Sequence, residues 1–286
     1  MRRSSLIVLL AVSALALSAC GSATYDTGAE PEAGELVGLG MVMQRSADAP
    51  AEFCMGAVAT SYPPQCSGPQ LVGAFSWDDV HAEEHDGVRW TNDSYYGVGT
   101  YDAAANAFAL TRPLRTSPPE GFTVPAVEDR GFPQLCDDPF RGGDPDYEDP
   151  DLTIQNTFQE RLETLPGYVE SWVSDGARMF NVIVTGDAEE AHAALREIWP
   201  GGLCVEQRDA PTAVDVAAAS DALGEHAEEL GLYGWGGQGT FDVSVVLADE
   251  ATVARIHEIL SPWLTPEQVT VTGALQPLPE SSATEG

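Results

Sequence analysis

From Leu36 onward apolar residues recur at every second position, with Val37, Leu39, Met41 and Met43 separated by small or polar neighbours. That period of two is what a half-buried strand requires. Short runs of the same kind recur at 53–58, 71–77, 88–90, 95–101 and 107–112. Asp102 to Asn106 supplies turn residues between the last two and predicts a hairpin. Regularly spaced strands without a helical period predict a small β-barrel or sandwich over residues 36–115, an OB-type barrel being one form. Ser61-Tyr62-Pro63-Pro64-Gln65-Cys66 interrupts the pattern, because neither proline can donate to a ladder; it predicts a rigid loop.

From Leu152 the period lengthens to 3.6. Ile154, Phe158, Leu162 and Leu165 share one helical face, and residues 168–173 and 179–185 then alternate as strands. Asp187 and Glu190 are spaced as a capping box for a helix over 188–199, stopped by Pro200-Gly201-Gly202. Residues 203–207 form a short strand carrying Cys204. Pro211 and Thr212 open a long helix with Val216, Ala219, Leu223, Ala227 and Leu230 on its apolar face. Phe241, Val243, Val245 and Leu247 alternate again, Asp249 caps a helix bearing Val253, Ile256 and Leu260, and 269–271 is a closing strand. This β-α-β-α-β-α-β order resembles a ferredoxin-like α/β sandwich over 152–276. The fold class expected is therefore α+β, a β domain followed by an α/β domain. Between them, residues 116–151 hold seven prolines and read as an irregular acidic connector, and 277–286 as a disordered polar tail.

The amino-terminal segment has a different character. Arg2 and Arg3 precede an apolar run from Leu6 to Leu17, followed by Leu17-Ser18-Ala19-Cys20. The run is shorter than the roughly 20 residues that span a bilayer, and its layout is that of a targeting peptide. The tetrapeptide resembles the lipobox of bacterial lipoprotein signals. That resemblance implies cleavage before Cys20, a diacylglyceryl thioether on it, and residence on the extracytoplasmic face of the cell membrane. Two acyl chains suffice for stable anchoring. Residues 21–35 are small, polar and acidic, as a self-repelling tether should be.

Charge narrows the class of partner. The chain has no lysine, and its net charge is −32. Without residues 1–20 there remain 11 arginines against 45 acids, a formal charge of −34. Such a surface repels phosphate backbones and anionic headgroups, which argues against nucleic acid and peripheral membrane adhesion. A lineage-wide preference for Asp, Glu and Arg, or a cationic partner, would each account for it.

Cys20 takes the lipid, leaving Cys54, Cys66, Cys136 and Cys204. Four cysteines in an exported chain predict two disulfides, with three pairings open. Cys54 and Cys66 lie within one compact segment, which pairs them and leaves Cys136 to Cys204. None has zinc-ribbon spacing.

Three motifs bear on chemistry. His81-Ala82-Glu83-Glu84-His85 matches H-x-x-E-H, which on a helix would set His81 and His85 on one face as zinc ligands with Glu84 as base. Asp86-Gly87 and strand-like surroundings argue instead for a solvated acidic loop. Gly234-x-Gly236-x-x-Gly239 matches the dinucleotide fingerprint in letters, but it follows a helix and precedes a strand, the reverse of the context that fingerprint needs. A loop displaying Tyr233 and Trp235 is the expectation there. Asp137, Asp138, Asp144, Asp146, Glu148, Asp149 and Asp151 place seven carboxylates in fifteen residues, enough oxygens to make calcium conceivable. Pro145, and Asp149 where glycine would be needed, break the EF-hand pattern. There is no G-x-S-x-G, and His192, His226 and His257 have no companion motif.

Phe53-Cys54-Met55-Gly56, Ser61 to Pro69, Leu71-Val72-Gly73, Cys136, Asn181 to Asp187 and Trp199 to Val205 resemble a family of secreted and lipid-anchored actinobacterial proteins of unknown function. The resemblance implies an exported two-part protein with these cysteines and brings no catalytic residues. The histidine-rich loop and the acidic connector depart from it. The expectation is a lipid-anchored, non-enzymatic envelope protein without a cofactor, binding a protein, peptide or wall component. A metal-dependent hydrolase using His81, Glu84 and His85, and a calcium-binding connector, are the alternatives.

Overall fold

Strand β1 (Leu36–Gln44) is the hub of the chain in a computed structural model that describes residues 34–123, 131–174 and 179–279. The lipobox-like segment ending at Cys20, residues 21–33 of the expected tether and residues 280–286 of the expected tail lie outside them. After β1 come β2 (Ala51–Cys54), β3 (Gln70–Gly73), β4 (Ala82–His85), β5 (Val88–Thr91), β6 (Tyr95–Asp102) and β7 (Ala107–Leu110). Pairing runs β1–β2–β3–β7–β6 and returns to β1, closing a small five-stranded barrel. Every pair in that circuit is antiparallel except β3–β7. Closure satisfies the edge groups that an open sheet would leave unpaired.

The alternation along β1 has a different meaning from the one expected. Leu36 and Val42 belong to the barrel core. Gly38 faces the same way, because a Cβ there would meet Phe53, Met55 and Leu275. Met41 and Met43, expected on the core face, pack instead with Cys54, Cys66 and Trp90 outside the barrel. A loop closed by the Cys54–Cys66 disulfide and the β4–β5 hairpin cover that outer side. Both faces of the strand are therefore buried, which a period-two reading cannot distinguish from one. The Tyr62-Pro63 bond in that loop is cis.

Ten further elements follow: α1 (Thr153–Glu163), β8 (Tyr168–Val173), β9 (Met179–Val184), α2 (Ala188–Arg196), β10 (Gly202–Gln207), α3 (Ala213–Gly224), β11 (Leu232–Gly236), β12 (Phe241–Leu247), α4 (Glu250–Leu260) and β13 (Val269–Pro277). They form the same sequence of parts twice. Each half runs helix, antiparallel hairpin, helix, and a strand parallel to the hairpin's second strand. The single sheet of a ferredoxin-like sandwich is not formed. Strands β10-β9-β8 make one three-stranded sheet, while β11-β12-β13 extend the barrel sheet through β13–β1. The elements expected from periodicity are present, but alternation says which face is apolar, not which strand lies alongside.

Local chemistry places the helices. Asp187 Oδ1 accepts from the N–H groups of Glu189 and Glu190 to start α2. Thr212 and Asp215 form a reciprocal capping box at α3, and Asp249 accepts from Thr252 N–H at α4. Each such cap contributes about 1 kcal/mol. Helix α1 has Leu152 at its N-cap and borrows carboxylates from upstream: Asp151 accepts from Thr153 N–H and Asp149 from Gln155 N–H. Phe158 and Leu162 then bury against Phe180 and Trp199 in the first repeat's core, with Phe158 and Phe180 rings 4.6 Å apart. The second repeat has its own core of Ala219, Leu223, Phe241, Val243, Ile256 and Leu260. Its Val246 and Leu275 point the other way and complete the barrel core.

The end assigned to the tether is structural. Glu35 is only 6 % exposed and pairs with Arg112 at 2.5 Å, while Thr111 Oγ1 donates to its other oxygen. Its carbonyl accepts from Leu278 N–H, so both ends of the folded body meet at β1. Among the described residues no helix is long and apolar enough to cross a membrane.

Candidate functional site

Ala82–His85 is strand β4, not a helix, and His81 precedes it with its N–H donating to the Tyr95 hydroxyl. β4 pairs with β5 across an Asp86-Gly87 turn in which both residues have positive φ, the two-residue hairpin geometry. Side chains alternate along a strand, so Glu84 faces away from His85 and lies opposite Arg89 on β5. The His85 ring packs on Tyr62 at 4.9 Å, and its Nε2 is 3.4 Å from the Asp86 carboxylate. The helical zinc-and-base arrangement is not formed.

Three of the acidic connector's carboxylates are used locally. Besides the two at α1, Asp144 Oδ1 accepts from Asp146 N–H. The backbone hydrogen bond from Thr153 holds the Asp151 carboxyl below its usual range. The Cys136–Cys204 disulfide and the Leu203 N–H to Pro139 carbonyl bond (2.7 Å) fasten this segment to β10. Arg196 donates to the carbonyls of Pro139, Trp199 and Gly201, and Arg141 grips Glu189 at 3.0 and 3.1 Å. Among the described residues no group of three or more His, Cys, Asp or Glu side chains is placed to hold a metal ion. Both disulfides have the pairing expected.

Gly234 and Gly236 lie on β11 itself, and Gly239 in the turn to β12, so this glycine pattern is strand–turn–strand with no helix to receive a pyrophosphate. The expected display loop is thus a strand. Trp235 Nε1 donates to Ser220 O on α3 at 3.0 Å. The Tyr233 ring lies on Gly56, where a Cβ would stand 2.7 Å from it. That close approach joins the barrel to the second repeat, and only glycine permits it.

Beside this contact is a cleft of 490 Å³ between the two. The barrel contributes Met55 and Gly56 beyond β2, Tyr101 on β6 and the tip of the β6–β7 turn. Asp102 shapes that tip by accepting from Ala104 and Ala105 N–H, and Tyr101 donates to Asn106 Oδ1 at 3.0 Å. From the second repeat come Tyr233, Leu247, the α3–β11 turn with Glu228 and Glu229, and the α4 cap Asp249. Burial raises the Tyr101 phenol, with Asp102 adding to the effect. Burial also raises that of Tyr233, opposed by a hydrogen bond to Ser244. Both are neutral hydroxyls at ordinary pH. Glu229 is held below its usual range, chiefly by its hydrogen bond from His226 and also by Arg255.

A second cavity of 910 Å³ lies beside the first repeat's sheet, between Trp172, Phe132, Arg208 and the β11–β12 turn. Its rim mixes Arg208 with Glu170 and Asp209, so it presents no single charge.

Of the cleft residues, the sequence pointed to Tyr233 alone as a displayed group; Met55, Leu230, Leu247 and Asp249 were read only as parts of a resemblance, of apolar faces or of a helix cap. Met55, Tyr101, Glu228 and Asp249 come from four separated segments, and no spacing links them. No protein-family model matches the chain, and no curated protein is significantly similar to it.

Proposed function

We propose that this chain is a lipid-anchored, extracytoplasmic binding protein of the bacterial envelope, with the cleft between barrel and second repeat as its ligand site. The same reading includes membership of the actinobacterial family that the SYPPQC block resembles. Anchoring rests on the lipobox at Cys20, and the oxidising compartment on two disulfides. Binding rests on one observation: aromatic, apolar and carboxylate groups from two structural units converge on a cleft of ligand size. Ligand pockets favour such junctions and range over about 300–1,000 Å³. The strand order, with β3–β7 as its only parallel pair, supports an OB-type reading of the barrel. Barrels of that type bind ligands beside their turns, and here the β6–β7 turn borders the cleft.

Two measurements test the proposal. In a bacterial host given an alkyne fatty acid, the wild-type chain takes label in the membrane fraction and Cys20→Ser does not. Label persisting in Cys20→Ser would remove the anchor. Full-length protein in detergent should retain an envelope component that Ala104→Trp, which fills the cleft from the β6–β7 turn, fails to retain. Equal retention by both would remove the cleft as the site.

A further inference from the structure

We propose that the cleft takes a small organic cation, an ammonium or guanidinium group carried on a short apolar stem. This deepens, and rests on, the reading of the cleft as the ligand site. Its carboxylates are Glu228, Glu229 and Asp249, and no Arg or His stands among its described lining residues. These acids differ in how far they are already answered. Glu229 meets His226 Nδ1 at 2.9 Å and Arg255 Nε at 3.8 Å. Asp249 uses Oδ1 on Thr252 N–H at 2.7 Å, which leaves Oδ2. The Glu228 carboxylate has no hydrogen bond or ion pair among the described residues.

The remaining walls select the kind of cation. A hard metal ion wants several converging oxygens, and no such group is placed here among the described residues. Met55, Leu230, Leu232 and Leu247 offer apolar surface that an alkyl stem can cover and a hydrated ion cannot use. Tyr101 and Tyr233 add aromatic rings, which attract ammonium and guanidinium groups through their negative faces. The whole chain, at net charge −32, draws cations toward it, and a concave site with walls of one sign concentrates that field.

The test is calorimetric titration of the full-length protein in detergent at low salt. The probes are choline and agmatine, with 3,3-dimethylbutanol as choline's neutral isostere. Choline or agmatine should bind at least about tenfold more tightly than the isostere, and added salt should weaken it. Glu228→Gln and Asp249→Asn should each weaken the cation about fivefold. The second keeps the helix cap, and Asp146→Asn in the connector serves as the unaffected control. A short lysine peptide that displaces choline would trace the same chemistry to a side chain, and one that does not would trace it to a free ligand. Isostere binding as tight as choline's would overturn the inference while leaving the cleft a binding site. No cation binding at millimolar concentration, with envelope capture still lost in Ala104→Trp, would overturn the inference alone. Loss of that dependence as well would overturn both.

Discussion

The two α-β-β-α-β repeats solve one problem in different ways. In each, the last strand lies parallel to its neighbour and leaves an outer edge to be covered. In the second repeat β13 runs on to Pro277, where Gln276 and Pro277 pair with Val37 and Leu36 of β1, so that repeat joins the barrel sheet and lends Val246 and Leu275 to its core. In the first, β10 stops at Gln207, and the irregular connector covers its edge through a disulfide and the carbonyl of Pro139. A repeated unit can thus be completed by regular pairing or by a covalently fastened loop. The difference bears on the proposed site: the repeat fused to the barrel also builds the acidic cleft.

The largest expected effect comes from unfastening the first repeat. Replacing Cys136 and Cys204 by alanine opens a 68-residue separation and should cost about 4 kcal/mol by the chain-entropy relation. Amide exchange should then rise in β10 while β12 and β13 stay protected; equal loss in both sheets would show that the repeats unfold together. Next is the fused repeat. Leu275 is 1 % exposed inside the barrel core, and Leu275→Ala should cost about 3 kcal/mol in denaturant unfolding. That loss should reach the barrel strands and leave β8–β10 exchange unchanged.

The helix caps give smaller, matched effects. Thr212→Ala removes the α3 box and Asp187→Ala the α2 cap, each costing about 1 kcal/mol. A clearly unequal pair of melting shifts would show that one repeat depends more on its caps than on its covered edge.

The smallest effect is on pH. His192 on α2 is held below its usual 6.5 by burial first, then by Arg141 and Arg196. The unfolded chain therefore binds a proton that the native state refuses. This contribution is fully present above pH 6.5 and is lost as pH falls from 6.5 through the lower native value. Glu229 in the second repeat is shifted down from 4.5, so its contribution is present above 4.5 and lost below. Between pH 7 and 5 the first repeat should weaken while the second does not. His192→Gln should flatten that slope in exchange rates at β10; an unchanged slope would place the titration elsewhere.

Much of this was legible along the chain. The α2 and α4 caps, the apolar stripe of Phe158 and Leu162, the hairpin after Asp102 and the Cys54–Cys66 pair are local signals, within a dozen residues, and Cys136–Cys204 follows from them only by elimination. The β4–β5 hairpin escaped because His81 to His85 is polar and short, although Asp86-Gly87 marks its turn. Glu35 reads as tether until Arg112, far along the chain, arrives beside it. The cleft was invisible, since Met55, Tyr101, Glu228 and Asp249 share no period.

By itself the sequence determined most of the helices and strands, the caps of α2 and α4, the closeness of Cys54 and Cys66, and the acidic balance of the chain. Only the tertiary structure decided that β1 is buried on both faces, that the six late strands do not make one sheet, and that β13 joins the barrel. The reason is that side chains set local periodicity and the apolar face, whereas strands pair through backbone N–H and C=O groups that every residue but proline carries alike. Which strand becomes the neighbour is settled by how cores pack together. The cleft exists because Val246 and Leu275 seat the second repeat on the barrel, bringing four distant segments to one place.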